Sequence, residues 1–207
     1  MHTAQQRYKF PTIKEISLAP SGQAFTDWKT GCYNTDCPGF IPFRVDFGLP
    51  LPGMVFEGVS SYNQTDSSLS LQIVKDERPV IGGDWWLYYA EGPMTARLPL
   101  GFWPQRLFDG DSLGQYATEA AWYGAVGFGA RGDEPAMGSG HGPGEGPMRA
   151  AYFASISLMG RDAFPVEAKL DGLRPMVNGG CYQVAMDAGG NNTFFYGGPV
   201  APSCNFR

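Results

Sequence analysis

The high content of glycine and proline is the feature that most limits the folds open to this chain. Glycine (29 residues) and proline (17 residues) make up about a fifth of the 207 residues. Both residues break helix interiors, since proline lacks the backbone N–H and glycine loses the most freedom on ordering. Aromatic residues add 14% and charged residues only 17%, so the chain can bury a large core. We therefore expect a folded protein without long helices.

The hydrophobic pattern predicts short strands. Residues 68–74 (SLSLQIV) and 151–158 (AYFASISL) alternate apolar and polar side chains, as half-buried strands do. Residues 84–90 (DWWLYYA) and 192–196 (NTFFY) are short and aromatic. Turn clusters separate these segments, which is typical of antiparallel sandwiches. We predict one all-β domain over residues 1–207, an antiparallel β-sandwich of two sheets that resembles a jelly roll.

Two segments and one pair of residues lead to further structural predictions. Residues 112–121 (SLGQYATEAA) are the one helix candidate, although they are short and contain a glycine. Residues 124–146 hold nine glycines, and we interpret them as a long surface loop, which in a compact domain is often functional. Adjacent residues of a strand face opposite sides. We therefore expect one of Trp85 and Trp86 in the core and the other facing a cleft.

The charge distribution excludes several classes of partner. The formal net charge is −5, and the 15 lysines and arginines are scattered, so no basic stripe can follow a phosphate backbone. No run approaches the roughly 18 apolar residues of a membrane span. The first residues lack the basic and apolar regions of a signal peptide. We expect a monomer with no nucleic-acid or membrane partner.

The cysteines indicate disulfides rather than a metal site. The chain has four cysteines, Cys32, Cys37, Cys181 and Cys204, which allow three pairings. The simplest is 32–37 with 181–204, because each bond then closes a local loop. A zinc site would lack a second closely spaced pair and could recruit only His2 and His141. We predict two disulfides, no metal and no other cofactor.

The same cysteines point to an oxidising compartment, where disulfides persist. Two acceptor sequons, at residues 63–65 and 191–193, also fit a secreted protein. We therefore expect a secreted, extracellular protein, and the missing leader suggests a mature domain or a fragment left after its removal.

A series of short motifs runs in a fixed order along almost the whole chain. The motifs are GCYN (31–34), CPGF (37–40), VSSY (59–62), GDWW (83–86), GFWP (101–104), WYGAV (122–126), MGSGH (137–141), AYF (151–153), CY (181–182) and FYGGP (195–199). In this order they resemble the neprosin family. The resemblance implies a secreted sandwich of two antiparallel sheets, made with a propeptide. It also implies an acid-active glutamic peptidase that cuts proline-containing peptides or proteins after proline.

The resemblance implies a site of two glutamates across a cleft, one in a WGGEV-like stretch and one upstream of GCYN. Neighbouring carboxylates resist double ionisation. The ionised one takes a proton from the attacking water, and the protonated one polarises the carbonyl and protonates the leaving amine. Here the two positions read Ala125 and Gln5, with Gln6 as the alternative to Gln5. Neither side chain of such a pair can transfer a proton, so we expect impaired hydrolysis.

Several explanations of these substitutions stay open. The chain is a pseudo-enzyme or a repurposed member, an engineered inactive form, or an enzyme in which Glu119 or Glu145 replaces the missing acids. Trp122 and Tyr123 lie just before position 125, and we expect them to bind the apolar proline ring. His141 either lines the same cleft together with Glu145 or is a structural histidine held by hydrogen bonds.

Two functions outside the peptidase class also fit the residues. One is a non-catalytic module whose aromatic groove holds a peptide or a glycan. The other is an enzyme of another reaction class that uses His141, Glu145 or a tyrosine in the same cleft. A helical metal site on His141 and Glu145 is not expected, because Gly142, Pro143 and Gly144 lie between them. Nor does Ser139 belong to a G-x-S-x-G nucleophile elbow.

Overall fold

The structure is a computed structural model, and it confirms the all-β class. It describes residues 2–7, 39–43, 60–76, 83–90, 97–108, 112–117, 120–124, 136–159, 165–167, 180–189 and 192–200. Within these residues the strands are β1 (His2–Arg7), β2 (Ile41–Pro42), β3 (Leu69–Lys75), β4 (Trp85–Ala90), β5 (Arg97–Trp103), β6 (Ala151–Phe153), β7 (Ser157–Met159), β8 (Pro165–Glu167), β9 (Gln183–Met186) and β10 (Phe194–Gly197). The helices of this part are single 3-10 turns, Gln105–Phe108, Ser112–Gly114 and Pro143–Glu145.

The described strands pair only in antiparallel fashion. Their order is β2-β5-β4-β3-β1-β6-β10-β9, with β7 beside β1 and β8 beside β7. The network branches at β1: one edge pairs with β3, and the other is shared by β6, through Gln6 and Arg7, and β7, through His2 and Thr3. The two-layer sandwich, the jelly-roll connection and the single domain stay predictions.

The register defines two faces of this network. Residues paired across antiparallel strands share a face, so Leu71, Leu87 and Trp85 lie on one face, which we call the first face. Through Gln6, which pairs with both Leu69 and Phe153, the first face continues into β6. The opposite side is the second face.

Apolar clusters cover the first face. One cluster lies over β3, β4 and β5 and comprises Leu69, Leu71, Trp85, Leu87, Leu100, Trp103, Phe108 and Leu113. Another lies over β6 and β10 and comprises Ala151, Phe153, Ile156, Phe194 and Tyr196. On the second face Ala150, Tyr152 and Phe195 form a smaller cluster. Each large apolar side chain buried in this way contributes about 1.5–3 kcal/mol of transfer free energy.

The adjacent tryptophans lie on opposite faces, as predicted. Trp85 is 1% exposed in the first-face core, and its Nε1–H donates to the carbonyl of Leu113 over 2.8 Å. Trp86 is half-buried on the second face, where it stacks on Phe102 at 4.8 Å and lies 6.0 Å from Phe43, between ring centroids. Among the described residues, its Nε1 is the one buried side-chain nitrogen or oxygen without a hydrogen-bond partner.

Three of the four predicted strands are present, as β3, β4 and β10. The prediction of one strand over residues 151–158 was wrong, because the chain forms β6 and β7 with an interruption between them. Ser155 takes a left-handed backbone conformation (φ 53°), which ends the extended run, and Ile156 is buried at 1% exposure.

The predicted helix over residues 112–121 was also wrong within its described part. Only Ser112–Gly114 is helical, as a 3-10 turn, and residues 115–117 and 120–121 are not. In an α-helix the carbonyls of Leu113 and Gly114 would accept from backbone N–H groups four residues later. Here they accept instead from the side chains of Trp85 and Gln105.

The glycine-rich segment is described at residue 124 and over residues 136–146. Its regular structure there is one 3-10 turn, Pro143–Glu145, and an isolated bridge between Met137 and Gly198. Its described residues form a loop, as predicted, and they pack against the protein: Pro143 is buried, and residues 137–142 are half-buried. Residues 125–135 lie outside the described residues. Within the part of the chain described here, no helix has the length and hydropathy of a membrane span.

Candidate functional site

Three side chains from two distant loops meet in one cluster, Tyr62, His141 and Glu145. Nδ1 of His141 lies 2.8 Å from Oε1 of Glu145. The phenol of Tyr62 donates to Oε2 of the same carboxylate over 2.6 Å. The Tyr62 ring also stacks on the imidazole, with centroids 4.1 Å apart and planes inclined by 24°. Both carboxylate oxygens of Glu145 are therefore engaged.

The local sequence explains why His141 and Glu145 meet without an α-helix. Pro143–Glu145 is a 3-10 turn closed by bonds from Glu145 N to Gly142 O and from Gly146 N to Pro143 O, each 3.1 Å. The turn rests against the end of β10, where a Cβ atom on Gly197 would overlap the carbonyl oxygen of His141. Glycine at position 197 thus allows the close approach that seats the loop.

The cluster is electrostatically coupled. The hydrogen bond from Tyr62, then that of His141, and the charge of Arg149 lower the pKa of Glu145 below its usual range. The bond to Glu145 raises the pKa of the Tyr62 phenol. All three side chains reach solvent, at 38% exposure for Tyr62, 40% for His141 and 36% for Glu145. Glu145 therefore stays ionised into mildly acidic solution.

The loop that supplies Tyr62 spans residues 60–67, and we call it loop 60–67. The Oγ of Ser60 accepts from the N–H of Ser67 over 2.7 Å and donates to its carbonyl over 3.0 Å, which closes the loop. The loop is attached to β6, because the phenol of Tyr152 donates to Oδ2 of Asp66 over 2.6 Å. The contact between loop 60–67 and the facing segment thus contains two tyrosine–carboxylate bonds, Tyr62 with Glu145 and Tyr152 with Asp66.

The predicted aromatic residues lie on the first face, over β10. Trp122 is half-buried against the cluster that contains Phe153 and Tyr196, and Tyr123 is 58% exposed. A Cβ atom on Gly124 would come within 2.5 Å of the Tyr196 ring. The segment leading to position 125 is therefore packed tightly, with Tyr123 turned to solvent. Ala125 itself lies outside the described residues.

The upstream position is described only by its backbone in β1. The register pairs Gln5 with Ser70, and it pairs Gln6 with Leu69 and Phe153. By register, Gln6 falls on the first face, which also carries the Trp122 segment, and Gln5 falls on the second face, which carries Tyr152. That either position meets residue 125 across a groove stays a prediction.

The remaining sequence candidates divide between described and undescribed parts. Ser139 Oγ accepts from the backbone N–H of His141 over 3.3 Å, and the imidazole Nδ1 bonds instead to Glu145. Glu119 lies outside the described residues. Among the described residues, no group of three or more His, Cys, Asp or Glu side chains could hold a metal ion. The absence of a cofactor stays a prediction.

Cys181 is the one cysteine within the described residues. It is buried and disulfide-bonded. Cys32, Cys37 and Cys204 lie outside the described residues, so the predicted pairing of 32–37 and 181–204 stays a prediction.

Sequence reasoning did not identify Tyr62 as a partner of His141 and Glu145. Tyr62 belongs to the VSSY motif, but the motif does not point to Glu145, which lies 83 residues further along the chain.

A comparison with known families places these features in context. The Neprosin family model matches residues 22–199, which is most of the chain, and this confirms the resemblance found in the motifs. The matched range includes Ala125, Trp122, Tyr123, and both His141 and Glu145. Gln5 and Cys204 lie outside it.

Proposed function

Since the chain belongs to the Neprosin family, we propose that it is a peptidase-like domain that binds proline-containing peptides and hydrolyses them poorly. The observation that carries this proposal is Ala125, which lies inside the matched range at the position where the family resemblance implies a glutamate. An alanine has no group that could accept or donate a proton. Secretion, activity in acid and cleavage after proline belong to the same proposal.

The chemistry of the implied site explains why one alanine matters. Attack of water on a peptide carbonyl requires one group that accepts the proton of the water and a second group that donates to the leaving amine. Loss of one positioned acid or base lowers the rate by about 10²–10⁴-fold. Glutamine at position 5 or 6 cannot supply the missing proton transfer, because an amide does not titrate in this range.

The geometry of Glu145 makes it a poor substitute for either acid. Its lowered pKa keeps it ionised when an ordinary glutamate begins to take up a proton, so it is less suited than an ordinary glutamate to act as the protonated partner. As a base it would be weakened, since each of its oxygens already has a hydrogen-bond partner and its pKa is lowered. Activity should therefore depend on position 125 rather than on Glu145.

The segment beside position 125 supports peptide binding. Tyr123 is 58% exposed, while the residue before it is half-buried and the residue after it is packed on Tyr196. An exposed aromatic ring on a firmly packed segment offers a flat apolar surface at low entropic cost. Proline suits such a surface because its ring is apolar and its φ angle is already restricted.

The decisive experiment restores the implied pair. Cleavage of a proline-containing peptide at about pH 3 is compared for the unsubstituted chain, Ala125→Glu, and the double variants Gln5→Glu/Ala125→Glu and Gln6→Glu/Ala125→Glu. We expect one double variant to exceed the unsubstituted chain by about 10²-fold or more. The control is Ala121→Glu, the same change at an exposed position of the same segment, which should leave the rate unchanged.

Two results would overturn the proposal. Cleavage by the unsubstituted chain at a rate equal to that of both double variants would mean that other residues do the chemistry. Folded double variants that neither cleave nor bind the peptide would remove the peptidase-like assignment. Binding of the peptide or a glycan without cleavage by any variant would favour the alternative of a non-catalytic module.

A further inference from the structure

Loop 60–67 is attached to residues 141–152 by two reciprocal hydrogen bonds. In one bond the loop supplies the phenol, Tyr62, and the facing segment supplies the carboxylate, Glu145. In the other bond the loop supplies the carboxylate, Asp66, and the facing segment supplies the phenol, Tyr152. Both bonds are 2.6 Å long, which is short for a hydrogen bond between two oxygens.

Two further bonds between the same segments do not depend on a carboxylate. The backbone N–H of Asn63 donates to the carbonyl of Met148 over 2.9 Å, and Nε of Arg149 donates to Oδ1 of Asn63 over 3.3 Å. Both Asn63 (φ 56°) and Met148 (φ 63°) have left-handed backbone conformations. Such conformations are held in place by surrounding contacts. The contact between Asn63 and Met148 therefore depends on the neighbouring bonds to Glu145 and Asp66.

The loop covers part of the second face. Tyr152 is 6% exposed, and its ring lies 5.6 Å from that of Phe195, between centroids. The phenol of Tyr152 is the atom that holds Asp66. Movement of the loop away from residues 141–152 would therefore expose Tyr152 first.

We propose that loop 60–67 is an acid-released strap over Tyr152. With Glu145 ionised, the strap is closed. When Glu145 takes up a proton, the strap loosens from residues 141–152 and the phenol of Tyr152 becomes more accessible. The proposal does not depend on peptidase activity.

The groups around each carboxylate determine the direction of the effect. Glu145 faces Tyr62 of the loop and, on its own segment, His141 and the charge of Arg149; Asp66 faces Tyr152. An ionised Glu145 is bonded by Tyr62 and His141, whereas a protonated carboxyl group is a weaker acceptor. Protonation of Glu145 also removes its attraction to Arg149. Acid therefore weakens the end of the attachment that Glu145 holds.

The pH window follows from Glu145. Its pKa in the folded protein lies below the ordinary value of 4.5, first because of Tyr62 and then because of His141. A lowered folded-state pKa means that the contribution to closure is complete above the ordinary value and is lost as the pH falls through the lowered one. We therefore expect the strap to stay closed between about pH 5 and pH 7, to begin to open below about pH 4.5, and to be fully open only below the lowered pKa of Glu145.

The test is amide hydrogen exchange of residues 60–67 between pH 7 and pH 2, corrected for intrinsic exchange. In the unsubstituted chain we expect protection to be constant down to about pH 5 and to fall roughly tenfold below pH 4.5, while β4 and β10 stay protected. Tyr62→Phe and Glu145→Gln should lower the protection at pH 6 and flatten its dependence on pH. Tyr116→Phe, at a tyrosine that is 53% exposed, is the matched control and should match the unsubstituted chain.

A second measurement keeps the proposal testable if one variant misfolds. Oxidative footprinting of Tyr152 in the unsubstituted chain should rise several-fold over the same pH interval, and Asp66→Asn should raise it already at pH 6. Protection of residues 60–67 that is unchanged down to pH 2 would overturn the proposal. So would a loss of protection that runs parallel to that of β4 and β10, since the whole protein would then be unfolding.

Discussion

The two ends of the described sheet differ in what holds them. In β3, β4 and β5 the strands have six or seven residues, and a cluster that includes Trp85 and Phe108 covers one face. Around β6 and β10 the strands have three or four residues and an apolar cluster covers the same face, but here loop 60–67 also attaches through bonds that end on Glu145 and belong to Asp66. Burial of apolar surface does not respond to pH, whereas contacts to an ionisable carboxylate can. Both ends thus have an apolar core, and the second end adds a loop held through carboxylates.

The largest expected effect on stability is in the region of β3, β4 and β5. Trp85→Ala should lower the free energy of unfolding by about 3–5 kcal/mol, because it leaves a cavity in the core and removes the N–H donor of the Leu113 carbonyl. The measurement is urea denaturation at pH 7. Trp86→Ala is the control on the opposite face, where the side chain is only half-buried. An equal loss in both variants would contradict the assignment of the core to the first face.

An intermediate effect is expected at the junction between β10 and the glycine-rich loop. Gly197→Ala should destabilise the protein by about 1–3 kcal/mol, because the added Cβ atom meets the His141 carbonyl and the backbone must move. Urea denaturation measures the loss. Gly144→Ala is the matched control, since a Cβ atom there meets nothing within 4 Å and should change stability by less than about 0.5 kcal/mol. Equal effects would mean that the loop is not seated on β10.

The smallest effect is expected at the exposed cluster. Tyr62→Phe should leave the urea midpoint at pH 7 unchanged, as should Tyr116→Phe, because bonds between exposed groups are screened by solvent. The consequence of Tyr62→Phe should be confined to local exchange in loop 60–67. A midpoint as low as that of Gly197→Ala would show that the cluster belongs to the cooperative core, and the contrast between the two regions would disappear.

Local sequence patterns predicted the elements that depend on neighbouring residues. Alternation in residues 68–74 and the aromatic run 84–90 correspond to β3 and β4, and the opposite faces of Trp85 and Trp86 follow from the geometry of any strand. The errors arose where distant groups intervened. The helix over residues 112–121 fails because Trp85 and Gln105 take its carbonyls, and no pattern within those residues records that competition.

The sequence also predicted only part of the candidate site. The motifs predicted the family, which the match over residues 22–199 confirms, and the substitution at Ala125 is visible in the sequence alone. The contact between His141 and Glu145 could be suspected from their spacing, but its geometry could not, because it depends on a 3-10 turn seated against Gly197. The third partner, Tyr62, comes from a loop 83 residues away.

The sequence by itself determined the strand-rich class, the family and the alanine at position 125, since each follows from the identity and order of residues. Only the tertiary structure decided which groups share a proton or a hydrogen bond. Tyr62 with Glu145 and Asp66 with Tyr152 are selected by the antiparallel packing that brings loop 60–67 to β6. A hydrogen bond requires atoms within about 3 Å, and separation along the chain carries no information about that distance.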